Sequence, residues 1–391
     1  MVKKERLLSL DVMRGITVAA MILVNNSAGR SVTFAPLLHA SWHGLTPTDL
    51  IYPFFMFIMG ISMSFSLTKY EEGLTWAAFW KILKRSLLIF AVGTALHWFS
   101  ALVWGFNSLA LGTLKEGTTI WQIIFPLENF RIMGVLQGLA IAYFFGAIIV
   151  LTMRWRHILW VAGGLLAAYV VIMHLGHGYE KTQENIIGVI DRLVLGSKHL
   201  YQTTFADGTR GGFEPEGLLS NIPRIAHVIF GVYIGKLITD FKDNTERITR
   251  IFIFGTITLF SGLLLQYGDP INKQIWSSSF TLTTVGFGSQ FLALLIWIID
   301  MKGKKSWCKL FEVFGINPLS LYVVAWVASA LMGIKYHIGD RIVNTKGWLF
   351  SDVLQPVLGD NFGSLAHALL FVAIAWLCGL VLYRKKIIIK L

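Results

Sequence analysis

Charged residues are scarce in this chain of 391 residues. Asp, Glu, Lys and Arg account for only 14% of it, whereas soluble domains carry about 25% charged residues. Hydrophobic residues account for 55%, and the mean hydropathy is +0.63. This composition excludes an ordinary soluble domain and predicts an integral membrane protein.

Cysteine is scarcer still, since the chain has only 2. Cys308 falls in a predicted inner loop and Cys378 in the last predicted helix, so we do not expect them to pair. Two separated cysteines exclude a disulfide framework and a cysteine-rich metal site. The chain also lacks the phosphate-binding GxxxxGK[ST] loop, the zinc-binding HExxH helix and the GxSxG turn of serine hydrolases. We therefore assign no metal.

Apolar stretches of about 20 residues, the length of a transmembrane helix, recur along the chain. Ten such helices would return both termini to the same side of the membrane. With the N-terminus inside, most Lys and Arg residues fall in cytoplasmic loops, as the positive-inside rule requires. This distribution accounts for much of the net charge of +12, so no nucleic-acid partner is needed. The predicted spans are 8–27, 46–68, 77–103, 131–153, 156–175, 216–238, 248–266, 276–300, 311–334 and 362–383.

We therefore predict an all-α polytopic membrane protein, a bundle of about ten transmembrane helices with both termini cytoplasmic. Residues 1–391 would form a single domain in the inner (plasma) membrane, surrounded by the lipid bilayer. Asp11 and Arg14 interrupt the first apolar stretch, so we expect a retained helix rather than a cleaved signal peptide. The two residues share a helix face because they are three positions apart. A salt bridge between them and a ligand-binding role both explain this spacing.

The string HASWHGLTPTDL, residues 39–50, places titratable residues directly before an apolar run. Thr46 and Asp49 have the spacing of a helix cap, which gives Asp49 a structural explanation. His39 precedes it on a loop that folds back from the first helix, which would bring His39, Asp49 and Asn25 together. A histidine beside a carboxylate and a hydrogen-bond donor is the usual arrangement for general-base catalysis. A capped helix with histidines at the membrane interface explains the same residues, and spacing alone does not choose between the two.

Three further strings carry polar residues at helix boundaries. Glu214 and Glu216 in FEPEGLL would bind the ammonium group of an amino sugar, or would simply favour the start of the next helix. Trp276 in INKQIWSSSF and Asn317 in FGINPLSLY lie beside apolar helices. Packing hydrogen bonds are the alternative to a substrate contact for these two residues.

Six strings together are more specific than any of these motifs. Taken in chain order, the six strings given at the end of this paragraph resemble the heparan-α-glucosaminide N-acetyltransferases and their bacterial relatives, a family of transmembrane acyltransferases. The resemblance extends over most of the chain. The resemblance implies transfer of acetyl from cytosolic acetyl-CoA, across the membrane, to the amine of a terminal glucosamine. It is also compatible with a homodimer. The strings are SLDVMRGITVAAMILVNN, HASWHGLTPTDLIYPFFMFIMG, RIMGVLQGLAIAYF, FEPEGLL, INKQIWSSSF and GINPLSLYV.

The resemblance also implies roles for individual residues. His39 matches the family's essential histidine, Asp49 the aspartate ten residues later, and Asn25 the asparagine that ends the first of these helices. We expect them to be the general base, its orienting carboxylate and an oxyanion donor. His43 stands where the animal enzyme carries Asn, so the matched string, not the residue type, favours His39. We expect the acceptor sugar near Arg131, Glu214, Glu216, Trp276 and Asn317, and acetyl-CoA near Arg14, Lys84, Arg85, Arg154 and Arg156.

Two alternatives stay open at this point. His39 would become acetylated itself in a ping-pong mechanism, although direct transfer needs only the base and the oxyanion donor. A sugar or solute transporter would also have about ten helices with polar residues at membrane depth. The sequence shows no inverted repeat, which disfavours a transporter.

Overall fold

The computed structural model describes residues 7–68, 70 and 73–389, and most of these residues are helical. Two short antiparallel hairpins interrupt the helices, β1 with β2 and β3 with β4. The strands are β1 Gln202–Thr204, β2 Arg210–Gly212, β3 Lys335–Ile338 and β4 Arg341–Asn344. The α-helices are α1 Leu8–Asn25, α2 Ile51–Leu67, α3 Trp76–Ala110, α4 Ile120–Ile124, α5 Val135–Thr152, α6 Ile158–Leu175, α7 Ile186–Leu195, α8 Asn221–Asp240, α9 Asn244–Leu265, α10 Ser278–Leu295, α11 Cys308–Ile316, α12 Pro318–Met332, α13 Thr345–Trp348 and α14 Gln355–Arg384.

Within the described ranges, 9 helices are long and apolar enough to cross a membrane. They coincide with nine of the ten predicted spans, so the predicted helical bundle is confirmed. Several of them include a flanking turn of 3-10 or π helix. The spans are Leu8–Asn25, Pro47–Leu67, Trp76–Ala110, Val135–Thr152, Trp155–Leu175, Asn221–Asp240, Asn244–Leu265, Ser278–Met301 and Thr345–Arg384.

The predicted span 311–334 is instead a pair of helices, α11 and α12, bent by 85°. Asn317 separates them in a non-helical conformation (φ −124°, ψ 56°), and Pro318 begins α12. Proline fits the first turn of a helix because it has no N–H to donate. With 15 residues, α12 is about 22 Å long, shorter than the hydrocarbon core of about 30 Å.

Glycines allow the central helices to approach closely. A Cβ atom on Gly60 in α2 would lie 2.3 Å from the carbonyl oxygen of Val228 in α8. A Cβ atom on Gly231 would lie 2.4 Å from the carbonyl oxygen of Phe57. Neither position has space for a larger side chain, so α2 and α8 pack backbone to backbone, as small residues permit in membrane bundles.

The two ends of the bundle differ. We call the end that holds residues 28–46 the loop end, and the end where α1 begins and α14 finishes the terminal end. At the loop end, α3 has 35 residues and is about 52 Å long, which exceeds the hydrocarbon core. The last turns of α3 contact the β3–β4 hairpin. The Asn107 side chain donates to the backbone oxygen of Lys335 at 2.7 Å and accepts from its backbone nitrogen at 3.0 Å. The end of α3 and the β3–β4 hairpin are therefore joined at the loop end.

Candidate active site

His39 and Asp49 form a close pair at the loop end. Nδ1 of His39 lies 2.6 Å from Oδ1 of Asp49, and the aspartate side chain is only 1% exposed. Its other oxygen, Oδ2, accepts hydrogen bonds from the Ala40 nitrogen at 3.1 Å and from the nitrogen and hydroxyl of Thr46 at 3.1 and 2.9 Å. Thr46 and Asp49 form the predicted capping box. Asp49 therefore both begins the second span and fixes the imidazole.

A third residue, Lys273, completes this group, although no pattern in the sequence predicted it. Nζ of Lys273 lies 3.0 Å from Nδ1 and 3.4 Å from Nε2 of His39, and 3.6 Å from Oδ1 of Asp49. Burial lowers the pKa of Lys273, while the charges of Asp49 and Glu216 oppose that shift. The interaction with Glu216 connects this group electrostatically to a neighbouring cavity.

Hydrogen bonds fix the loop that carries Lys273. The Oδ1 atom of Asn272 accepts from the backbone nitrogens of Gln274 and Ile275 at 2.7 and 3.3 Å. The Gln274 side chain donates to the Ser41 carbonyl at 3.0 Å, which ties this loop to the His39 loop. Trp276 then adopts a positive φ of 51°, an uncommon conformation for a residue other than glycine. The Lys273 side chain is thus aimed at His39 by its backbone.

A cavity of about 880 Å³ opens at the loop end between α1, α3, α5, α12 and the β3–β4 hairpin. Its volume is in the usual range for a small-molecule site. Three of the predicted site residues line it, Asn25, Arg131 and Glu216. His97 and Trp326, whose rings are 5.8 Å apart, form part of its wall. The structure therefore brings Asn25 together with Arg131 and Glu216, whereas His39 and Asp49, which we expected beside Asn25, are not among the described residues that line this cavity.

Arg131 binds both predicted acceptor carboxylates. Its Nε and Nη2 donate to the two oxygens of Glu214 at 2.9 and 2.5 Å, and Nη2 also donates to Glu216 at 2.8 Å. The Glu214 side chain is fully buried, whereas that of Glu216 is 14% exposed and faces the cavity. Burial of Arg131 opposes its charge, but the two carboxylates more than offset this and raise its pKa. Glu214 therefore holds Arg131 from behind, and Glu216 presents the accessible carboxylate.

The buried cation of Arg224 contacts the segment that carries Glu214 and Glu216. Arg224 in α8 is fully buried, donates from Nη2 to the Pro215 carbonyl at 2.7 Å, and lies 4.7 Å from the Trp276 ring centre. The predicted acceptor residue Trp276 is itself buried, with its ring 4.9 Å from that of Tyr52. The sequence carried a signal for Arg224, because a charge inside an apolar span is costly and marks a special site. Lys273 carried no such signal, since its loop position is ordinary for lysine.

The predicted acetyl-CoA residues lie toward the terminal end. Lys84, Arg154 and Arg156 are exposed there, and the Arg85 guanidinium lies 4.8 Å from the Tyr143 ring centre.

Arg14, also predicted to bind acetyl-CoA, forms the expected pair with Asp11 at 3.1 Å. It further donates to Ser62 at 2.8 Å and to the Gly315 carbonyl at 3.2 Å. These contacts join α1 to α2 and α11, so Arg14 has a structural task.

Asn317 lies at the terminal end, away from the other predicted acceptor residues. Its amide donates to the Ile387 carbonyl and accepts from the Ile389 nitrogen, both at 2.9 Å. Both hydrogen-bonding ends of the side chain are therefore committed to the C-terminal segment. Among the residues that the structure covers, no group of three or more His, Cys, Asp or Glu side chains could hold a metal ion.

Comparisons with known proteins give a consistent result. A family model described as "Heparan-alpha-glucosaminide N-acetyltransferase, catalytic" matches residues 6–264, which include His39, Asp49 and Glu214 but not Lys273. The chain is 28% identical to the heparan-alpha-glucosaminide N-acetyltransferases of Homo sapiens and Mus musculus, over 403 and 406 residues. Each alignment covers 88% of this chain and 58% of the relative, so the chain spans less than two thirds of the length of these curated relatives.

Proposed function

Because the chain belongs to the heparan-alpha-glucosaminide N-acetyltransferase family, we propose that it is a multi-pass membrane enzyme that transfers acetyl from acetyl-CoA to the amine of a glucosamine-type sugar. The observation that carries the proposal is the buried Asp49 carboxylate 2.6 Å from His39 at the mouth of the bundle. A base is needed because an amine must lose a proton when it becomes an amide. Imidazole suits this task near neutral pH.

The contact between His39 and Asp49 determines which nitrogen of the imidazole takes the proton. Asp49 accepts a hydrogen bond from the N–H at Nδ1 of His39, so Nε2 presents its lone pair to the incoming amine. When Nε2 takes the proton, the carboxylate stabilises the resulting imidazolium. The half-exposed imidazole, with 47% of its side chain accessible, can meet a substrate from the loop end.

The acyl transfer then proceeds in two bond changes. The sugar ammonium first releases one proton to solvent; the neutral amine then attacks the thioester carbon while His39 takes its second proton, and the carbonyl oxygen becomes negatively charged. The Asn25 amide, on the cavity wall, donates a hydrogen bond to this oxyanion. The C–S bond breaks, the thiolate of coenzyme A leaves, and the proton held by His39 restores its thiol.

The charges of the bundle suggest where each substrate enters. Acetyl-CoA approaches from the terminal end, which we take as cytoplasmic, with its phosphates near Lys84, Arg85, Arg154 and Arg156. The amino sugar occupies the loop-end cavity, where Glu216 faces its ammonium group and Arg131 faces its hydroxyls. This arrangement fits a protein of the inner membrane whose acceptor arrives from outside.

Reconstituted vesicles test the proposal. Acetyl-CoA on the side of the terminal end and glucosamine on the side of the loop end should give N-acetylglucosamine, detected by mass spectrometry. His39→Ala should abolish the product, whereas His43→Asn, four positions further along the same loop, should retain most of the activity. Uptake of unmodified glucosamine without acetylation would instead support the transporter. Labelled acetyl on His39 in the absence of sugar would replace direct transfer by the ping-pong mechanism.

A further inference from the structure

The Lys273 amine occupies a position that a substrate amine would need. Nζ lies 3.0 Å from Nδ1 of His39, which contacts Asp49, and 3.4 Å from Nε2, the nitrogen that Asp49 leaves free. Both Lys273 and an amino sugar are primary amines that must reach this nitrogen. The enzyme therefore carries an internal amine beside its own base.

The surroundings also favour the reactive form of that amine. Only the neutral amine attacks a thioester, and desolvation destabilises the ammonium relative to it. Burial lowers the pKa of Lys273; Arg224 adds to that effect, and Asp49 and Glu216 oppose it. The contacts of Asn272 and Gln274 hold the loop that carries Lys273, and its amine already lies against His39, so little ordering is needed before reaction.

We propose that Lys273 is a self-acetylation site, modified at Nζ when acetyl-CoA is bound and the acceptor sugar is absent. The inference rests on the proposed function. The Nζ lone pair attacks the thioester carbon, the N–C bond forms and the C–S bond breaks, and the electron pair leaves with sulfur. His39 takes the proton from the nitrogen and returns it to the thiolate, so the products are acetyl-Lys273 and coenzyme A.

The modification would switch the enzyme off. An amide is a much poorer acyl donor than a thioester, so acetyl-Lys273 cannot pass its acetyl group to a sugar. It also replaces a cation 3.6 Å from Asp49 with a neutral group and fills the space beside His39. Preincubation with acetyl-CoA alone should therefore cause progressive loss of activity, and glucosamine should protect because it competes for the donor.

Isotope labelling of the full chain in proteoliposomes tests this. After incubation with isotopically labelled acetyl-CoA and no sugar, the peptide containing Lys273 should carry at least about tenfold more label than that containing the exposed Lys198, which does not line the cavity and reports uncatalysed acetylation. His39→Ala should reduce the Lys273 label about 100-fold and leave the Lys198 label unchanged. Lys273→Arg keeps a positive charge but cannot be acetylated, so whatever activity it has should not decline on preincubation.

The outcomes separate the inference from the proposed function. Equal label on Lys273 and Lys198 in a preparation that acetylates glucosamine overturns the inference alone. If neither glucosamine nor Lys273 is acetylated, the proposed function fails and the inference fails with it. Label on Lys273 that persists in a folded His39→Ala protein, judged by its elution on size exclusion, shows uncatalysed chemistry and also overturns the inference.

Discussion

Oδ1 of Asp49 lies 2.6 Å from Nδ1 of His39, in the first turn of the span that begins at Pro47. The second carboxylate oxygen is held by groups of Ala40 and Thr46. The aspartate therefore cannot turn toward another partner without breaking the helix start. Helix geometry, rather than a flexible loop, determines where the imidazole points.

Asp49→Asn tests whether the carboxylate charge matters for the reaction. The amide can still accept hydrogen bonds at the helix start, but it cannot stabilise an imidazolium. We expect kcat to fall about 100-fold or more, with a smaller change in the KM for glucosamine. Steady-state rates in proteoliposomes measure both. A kcat within about threefold of the unmodified protein would refute the orienting role.

Arg131→Met should destabilise the fold because it leaves the buried Glu214 carboxylate without its counter-ion. Losing one partner of a buried pair costs about 3–5 kcal/mol. The double variant Arg131→Met/Glu214→Gln removes the uncompensated charge and should recover much of that loss. Thermal unfolding of the three proteins in one detergent provides the comparison. Equal melting temperatures for the single and double variants would contradict this account.

Asp191 should make stability depend on pH. Its side chain is fully buried, and burial raises its pKa from 3.8 to about 6. The folded state binds the Asp191 proton more tightly than the unfolded state, so protonation of this carboxyl stabilises the fold. This stabilisation is complete below about pH 4 and is lost as the pH rises to about 6. The difference of 2.2 between the two pKa values corresponds to about 3 kcal/mol. Asp191→Asn lacks the titration, so the stability of the unmodified protein relative to this variant should fall by that amount between pH 4 and 7. A difference in stability between the two proteins that does not change with pH would argue against this role of Asp191.

Gly60→Ala should disrupt the contact between α2 and α8. The added methyl would lie 2.3 Å from the Val228 carbonyl oxygen, so the helices must separate. Overpacking of this kind costs about 1–3 kcal/mol or more. Gly163→Ala in α6 is the matched control, because nothing lies within 4 Å of its added Cβ and alanine favours helix. The melting temperature should fall only for Gly60→Ala.

The double variant Arg154→Gln/Arg156→Gln tests the donor entrance. Loss of two exposed cations should raise the KM for acetyl-CoA severalfold and leave the KM for glucosamine unchanged. High salt should shrink the difference between variant and unmodified protein, because exposed charges are screened. Lys198→Gln, an exposed change at the loop end, should leave the KM for acetyl-CoA unaltered. An unchanged KM for acetyl-CoA in the double variant would remove these two residues from the donor site.

The sequence predicted the features that depend on neighbouring residues. Hydropathy located the spans because a bilayer imposes a fixed length on every helix that crosses it. The capping box of Thr46 and Asp49 was also predicted, since it needs only the spacing of three positions. The bend at Asn317 was missed, although Pro318 marks it, because the apolar pattern continues through both helices.

The remainder of the site depends on contacts between distant parts of the chain. Lys273 meets His39 across 234 positions, and Arg131 meets Glu214 across 83. Local patterns carry no information on such pairings. The sequence therefore indicated Arg131, Glu214 and Glu216 as site residues but not that Arg131 already pairs with both carboxylates.

The length of α3 affects how a hydrophilic substrate would reach the cavity. Even at a tilt of about 40°, 35 residues reach about 40 Å along the membrane normal, well beyond the hydrocarbon core. The cavity lies against the second half of this helix, from Gly93 to Ser108. A sugar that enters beside the last turns of α3 would not have to partition into lipid, so its many hydroxyl groups would exchange one aqueous surrounding for another.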